Sequence, residues 1–178
     1  WSIHNITDIP AGKFGVQVRL YGKDLPPGGI IAGEGYKGIV ENVLRPGKHR
    51  INPYAYQVHT FDAISIRPGH VGVVTALAGE DILHGDIPEA ARNTFLVEAP
   101  VKGVRPEILE PGTYYLNPFM VNVVEVNIQS QRFNMSGADA ISFLTLDGFT
   151  VLVEGTIEFS LNRDKVALLS HRVGDMDD

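Results

Sequence analysis

The chain carries one stretch twice, and this duplication limits the folds open to it. KGIVENVLRPGKHRINPYAYQV (Lys37–Val58) recurs without a gap as KGVRPEILEPGTYYLNPFMVNV (Lys102–Val123). Lys37/Lys102, Gly38/Gly103, Leu44/Leu109, Pro46/Pro111, Gly47/Gly112, Asn52/Asn117, Pro53/Pro118 and Val58/Val123 are identical, and Tyr54 aligns with Phe119. Upstream, Ile9–Gly22 is echoed by Arg67–Gly79, with Gly12/Gly69, Gly15/Gly72 and Gly22/Gly79 in step. The second copy is longer, and its extra residues fall at His84–Thr94, where Pro88 can start a helical turn. The shared positions are turn-formers and apolar residues, so a shape is what has been duplicated. Two tandem β modules are expected, at residues 9–65 and 66–128.

Period-2 patterning fills in the strands. Phe14, Val16, Val18 and Leu20 alternate with Gly15, Gln17 and Arg19, as in a half-buried strand. Ile30–Ala32 and Lys37–Leu44 read as short strands, the latter closed by Pro46-Gly47. Tyr56–Ile66 reads as one bulged strand, and a strand from Val121 runs on to Phe133. Ser136–Asp139 is a turn, and Asp147-Gly148 is the dipeptide of a type I′ hairpin between apolar flanks. Asn162 is a good N-cap. Asp164 then sits in the first turn, Val166, Leu169 and Val173 form an apolar stripe, and Gly174 is a stop. This predicts a helix over Arg163–Val173. The fold class is α+β, predominantly β, with one C-terminal helix.

Composition removes several function classes. The 178 residues include no cysteine, which rules out disulfides, thiol catalysis and thiolate zinc sites. A formal charge of −6 at pH 7 argues against a general nucleic-acid surface, which rests on clustered Lys and Arg. No apolar run has the roughly 20 residues of a spanning helix. The chain opens on Trp1 rather than Met, which suggests a fragment or a processed form, with any membrane anchor outside it.

Reactive constellations are weak. Gly33-Glu34-Gly35-Tyr36-Lys37-Gly38 fits G-x-G-x-x-G, but a dinucleotide site needs a helix starting at the glycines, and Ile39–Leu44 is strand-like. The histidines lack metal-ligand spacing; His49 and His59 would share a strand face only if Pro53 did not intervene. The acidic end at Asp175, Asp177 and Asp178 lacks the glycine and distal glutamate of a calcium loop. Glu107 and Glu110 bracket a turn and are the one carboxylate pair to weigh for hydrolysis. Asn5 and Asn134 head glycosylation sequons, which matter only in a secretory compartment. No catalytic, cofactor or metal residue is assigned. The residues singled out are structural turns: Pro46, Gly47, Asn52, Pro53, Pro111, Gly112, Asn117, Pro118, Asp147 and Gly148. In the Asn-Pro-aromatic turns, Asn closes the turn, Pro fixes φ and the ring packs on the sheet.

The run Pro111–Phe119, the valine-rich strand after it, and Thr145-Leu146-Asp147-Gly148 through Val151, Val153, Gly155, Ile157 and Phe159 resemble the SPFH or band 7 superfamily of prohibitins, stomatins and flotillins. The resemblance is best over Val101–Asp178, so residues 101–178 are expected to be the N-terminal part of such a domain. The duplicated N-terminal modules resemble an extended bacterial-type version. The resemblance implies a non-enzymatic, membrane-attached scaffold without cofactors, at the bacterial cell membrane. It also implies homo-oligomeric rings or cages that organise membrane patches or enclose partners such as membrane proteases. The rival classes are a monomeric extracytoplasmic β module binding a peptide or glycan and, last, a hydrolase using Glu107 and Glu110.

Overall fold

A computed structural model describes residues 5–80 and 96–173, the last three as backbone only. The insertion at His84–Thr94 with Pro88, the stop at Gly174, the acidic Asp175–Asp178 and Trp1 lie outside the described residues. The chain is mostly strand, in several small antiparallel sheets, with a short helix near its C-terminal end.

In the first repeat, β1 (Asn5–Ile9) pairs with β4 (Gly47–Ile51). The central strand β2 (Lys13–Arg19) pairs with both β3 (Gly38–Leu44) and β5 (Tyr56–Asp62). In the second, β6 (Ile64–Ile66) pairs with β9 (Gly112–Tyr114). There β7 (His70–Ala76) lies between β8 (Gly103–Leu109) and β10 (Val121–Asn127). The three-stranded sheets of the two copies agree pair for pair, whereas β1–β4 has five facing pairs and β6–β9 three. Ile9 faces Gly47 as Ile66 faces Gly112, and the bulge between Val16 and Val18 returns between Val73 and Thr75. The parallel bridges Lys23–Tyr36 and Ile31–Ile39 return as Glu80–Val101 and Leu96–Val104.

The centre of each sheet explains why simple alternation fails there. Phe14, Gly15 and Val16 are all buried in β2, as are Val71, Gly72 and Val73 in β7. A Cβ on Gly15 would lie 2.8 Å from Ile9 Cδ1 and 2.9 Å from Val58 Cγ1. On Gly72 it would lie 2.5 Å from Ile66 Cδ1. The missing side chain lets β1 or β6 press its isoleucine onto the central strand, so both faces of that strand are covered.

Four expected strands differ. Leu20 falls beyond β2 and is 49% exposed. Ile30–Ala32 yields only the bridge at Ile31. The strand expected over Tyr56–Ile66 is two, β5 and β6, in different sheets. The chain crosses between layers at Ala63, whose N–H donates to Gly12 O at 2.8 Å. The strand expected from Val121 to Phe133 divides in the same way: Ile128 N–H donates to Gly69 O at 3.0 Å, and β11 (Gln131–Met135) begins beyond it. Each crossing keeps a backbone donor satisfied, so the strand can leave its sheet without an orphaned group.

Beyond β10, β11 pairs with β14 (Gly155–Phe159), and β12 (Ile141–Leu144) pairs with β13 (Thr150–Val153). The link between β12 and β13 is not a two-residue type I′ turn. Gly148 N–H donates to Thr145 O (3.0 Å) and Thr145 N–H to Phe149 O (2.8 Å), so Leu146 and Asp147 are the central turn residues. Gly148, with φ 82°, follows them, which is the three-residue hairpin pattern. Thr145 Oγ1 accepts from Phe149 N (3.1 Å) and so helps fix the Leu144–Thr150 register. Asn162 Oδ1 accepts from Asp164 N (3.0 Å). One tight turn over Arg163–Lys165 then leads into α1 (Val166–Val173), so the first turn of the expected helix is 3₁₀. Val166 and Ala167 are buried against Val71, Val73 and Val126. Arg163, at the start of this segment, forms an exposed ion pair with Glu110 in the turn after β8.

Gly47 and Gly112 align in sequence but differ in backbone. Gly47 has φ 133° with open space where a Cβ would go. Gly112 lies outside that region, with its nearest neighbour, a Tyr114 ring atom, at 3.6 Å. Gly47→Ala is expected to lower unfolding free energy by about 1–3 kcal/mol through backbone strain alone. Gly112→Ala should change it by less than about 0.5 kcal/mol. Urea titration of the two variants checks this; equal losses would contradict it.

Candidate interaction surfaces

The two Asn-Pro-aromatic turns have the same internal wiring. Asn52 O accepts from Ala55 N (3.1 Å) and Tyr56 N (2.9 Å); Asn117 O accepts from Met120 N (2.9 Å) and Val121 N (3.1 Å). Each Asn Oδ1 also accepts from the residue after the proline, Tyr54 N at 3.0 Å and Phe119 N at 3.1 Å. An Asx turn on a proline with fixed φ is the result. What differs is the other end of the carboxamide. Asn117 Nδ2 donates to Val40 O (3.1 Å) and Glu41 O (3.3 Å) on β3, and Asn117 is only 5% exposed. Tyr115 meets Phe14 edge-on at 6.2 Å, and Phe119 meets Phe61 at 5.9 Å. The second turn therefore covers the first repeat's sheet, while α1 covers the second repeat's sheet. Asn52 Nδ2 has no partner among the described residues, and Tyr54 is 75% exposed.

Of the other turn residues, Pro46 and Pro111 immediately precede β4 and β9, which start at Gly47 and Gly112. Pro53 and Pro118 sit inside the Asn-Pro turns, and Asp147 and Gly148 lie at the far end of the β12–β13 hairpin.

The two C-terminal ribbons each present an apolar face. In β11–β14, Phe133 opposes Ile157 and Gln131 opposes Phe159. The other face carries Arg132 opposite Glu158, ion-paired at 3.1 Å, and Asn134 opposite Thr156, bonded at 2.9 Å. In β12–β13, Ile141 faces Val153 and Phe143 faces Val151 on one side. Phe133, Ile141, Phe143, Ile157 and Phe159 are all exposed. At the hairpin end Leu144, Leu146 and Phe149 are exposed as well. Isolated two-stranded ribbons are marginal in water, and apolar faces of this extent mark contact surfaces.

The carboxylates singled out in sequence are used separately. Glu110 pairs with Arg163, and its carbonyl accepts from Tyr114 Oη at 2.8 Å. Glu107 borders an open recess of about 410 Å³ whose described lining also includes Glu98, Ala99, Arg105 and Pro106. His49 Nε2 donates to Arg45 O (2.7 Å) in the β1–β4 layer, whereas His59 is exposed on β5 opposite Val16, so they share no face. Among the described residues no group of three or more His, Asp or Glu is placed to hold a metal. The Gly33–Gly38 loop leads into a strand, not a helix, and Arg19 Nη1 ties it to the sheet through Gly33 O (2.7 Å) and Tyr36 O (3.2 Å).

Two pairs carry perturbed protonation. Arg67 grips Glu125 through its backbone N (2.8 Å) and its guanidinium (3.1 Å to each carboxylate oxygen). These bonds hold the Glu125 carboxyl below the usual range and raise Arg67. Tyr21 and Tyr56 hydroxyls lie 3.2 Å apart beside Arg19. Their mutual hydrogen bond lowers Tyr56, with Arg19 assisting, and raises Tyr21, so Tyr56 ionises first. Neither pair is legible in sequence, because the partners are distant along the chain and no spacing rule joins them.

A family model described as SPFH domain / Band 7 family matches residues 64–178. The match begins at the first residue of β6, upstream of Val101, and leaves β1–β5 outside it. No curated protein and no solved structure matches the chain.

Asn117→Ala is expected to cost about 1–3 kcal/mol, because it strips the junction of its buried donor and leaves two carbonyls facing the gap. Asn52→Ala should cost about 0.5–1 kcal/mol, the turn bond alone. Chemical denaturation of both variants decides between this and equal costs. The Glu125 pair sets an acid dependence. Its folded pKa is depressed, so its stabilisation is complete above the unfolded value of about 4.3 and is lost as pH falls through the folded one. Glu125→Gln should therefore flatten the decline in stability measured from pH 5 to pH 2; an unchanged slope would remove Glu125 from the account.

Proposed function

Because the chain belongs to the SPFH domain / Band 7 family, a class of membrane-associated scaffolds, we propose that it is a non-enzymatic scaffold that homo-oligomerises into large rings or cages. These assemblies organise membrane patches or enclose partner proteins, among them membrane proteases, at a bacterial cell membrane. The observation that carries the reading is the family match from β6 through α1. The outward apolar faces of the β11–β14 and β12–β13 ribbons support it, since subunits or partners that cover them remove that surface from water.

In this reading residues 9–65 and 66–128 are two β modules, and 101–178 is the N-terminal part of the SPFH domain. Pro46, Gly47, Asn52 and Pro53, with Pro111, Gly112, Asn117 and Pro118, are framework turns that keep each module rigid. Asp147 and Gly148 do the same for the ribbon hairpin. Attachment to the membrane in this reading is through a segment outside this chain; among the described residues no helix is long and apolar enough to cross a membrane.

Particle size tests the proposal. Protein extracted from membranes in mild detergent and imaged by negative-stain electron microscopy should show rings or cages of many subunits. A homogeneous monomer that never sediments with membranes would overturn the scaffold reading and favour a monomeric β module for a peptide or glycan.

A further inference from the structure

The junction between the repeats is a template for a contact that the described residues do not make a second time. In that junction, a turn inserts its carboxamide donor against the outer edge of a strand, Asn117 Nδ2 on Val40 O and Glu41 O. The duplication supplies each half of this contact once more. The donor half is the Asn52–Tyr54 turn, with the same backbone and Asx bonds, no partner for Nδ2 among the described residues, and an exposed ring. The acceptor half is β8, where Arg105, Pro106 and Glu107 take the places of Val40, Glu41 and Asn42 in β3. In the first repeat the groove at that edge is shared by Glu41–Val43 and the incoming turn. In the second repeat α1 lies over the sheet face through Val166 and Ala167, and among the described residues the rim borders a recess beside Glu98 and Ala99.

We propose that copies of this chain associate head to tail, the Asn52–Tyr54 turn of one copy seating in the β8-edge recess of the next. Asn52 Nδ2 donates to the carbonyl oxygens of Arg105 and Pro106, as Asn117 does on β3, and the Tyr54 ring covers Pro106. The aromatic part of the internal junction, Tyr115 on Phe14, has no counterpart here because α1 already occupies that face. The contact joins two different surfaces, so it propagates from copy to copy and closes only if the rotation per copy allows. It rests on the self-assembly proposed above and names the surfaces that carry it.

The chain lacks cysteine, so single introduced cysteines report the contact without background. Full-chain protein carrying Tyr54→Cys is mixed with protein carrying Glu107→Cys, both at exposed positions, under a mild oxidant. A parallel mixture uses Ser142→Cys on β12 in place of Glu107→Cys. The expected result is a mixed disulfide dimer, one Tyr54→Cys chain joined to one Glu107→Cys chain, in large excess over both homodimers and over the Ser142→Cys mixture. Adding Asn52→Asp to the Tyr54→Cys protein keeps the turn-closing oxygen but removes the donor, and should lower that yield about tenfold. A yield no higher than with Ser142→Cys, while wild-type protein still forms large particles, overturns the head-to-tail contact and leaves the scaffold reading standing. Undiminished yield with Asn52→Asp also overturns it. Wild-type protein that stays monomeric removes both.

Discussion

The architecture depends on an absent side chain. Gly15 and Gly72 sit at the centre of their sheets, where Ile9 and Ile66 come down from the neighbouring layer. A methyl group at either point would meet atoms at 2.5–2.8 Å. With glycine there, a three-stranded sheet and a two-stranded one close on each other: the isoleucine covers one face of the central strand, and Phe14 with Val16, or Val71 with Val73, is buried on the other. The turns and the junction elaborate this two-layer unit.

Once such a unit exists, its outer sheet face must be covered, and the chain does this in two ways. The first repeat is capped by the second repeat's Asn117 turn, a polar bond to β3 flanked by aromatic rings. The second repeat is capped by α1, an apolar contact with the exposed Arg163–Glu110 pair beside it. The helix is the more hydrophobic cover, and a buried Asn is the more directional one, because its donor must find a carbonyl. The same sheet thus accepts two chemically different lids.

Much of this was legible in the sequence, for physical reasons. Gly12, Gly22 and Gly38, with Gly69, Gly79 and Gly103, all have positive φ, so the glycine pattern reported backbone shape directly. Asn162 announced the helical segment because its side-chain bond is local. The layer crossings at Ala63 and Ile128 were not legible, since each is fixed by a backbone donor whose side chain plays no part. Alternation around Asp147-Gly148 marks strands but not their partners, so it does not tell that Ile157 and Phe159 are left outward. Asn52 and Asn117 looked alike because what separates them is the surface beyond the turn. Ala167 escaped the stripe because a small residue carries a weak periodic signal.

The strand registers place the beginning and end of each unit side by side: Lys13 lies across from Asp62, and His70 from Asn127. A segment whose two ends meet in this way behaves as a cassette. It can be spliced into a chain, or lengthened at its far end beyond the Lys23–Tyr36 and Glu80–Val101 bridges, without changing the span its neighbours must cross. The longer linker between β7 and β8 is such a lengthening in sequence, and the strand pairings on either side of it match those of the shorter copy. Growth of the protein by whole units is therefore geometrically neutral, and the distal loops are free to diverge.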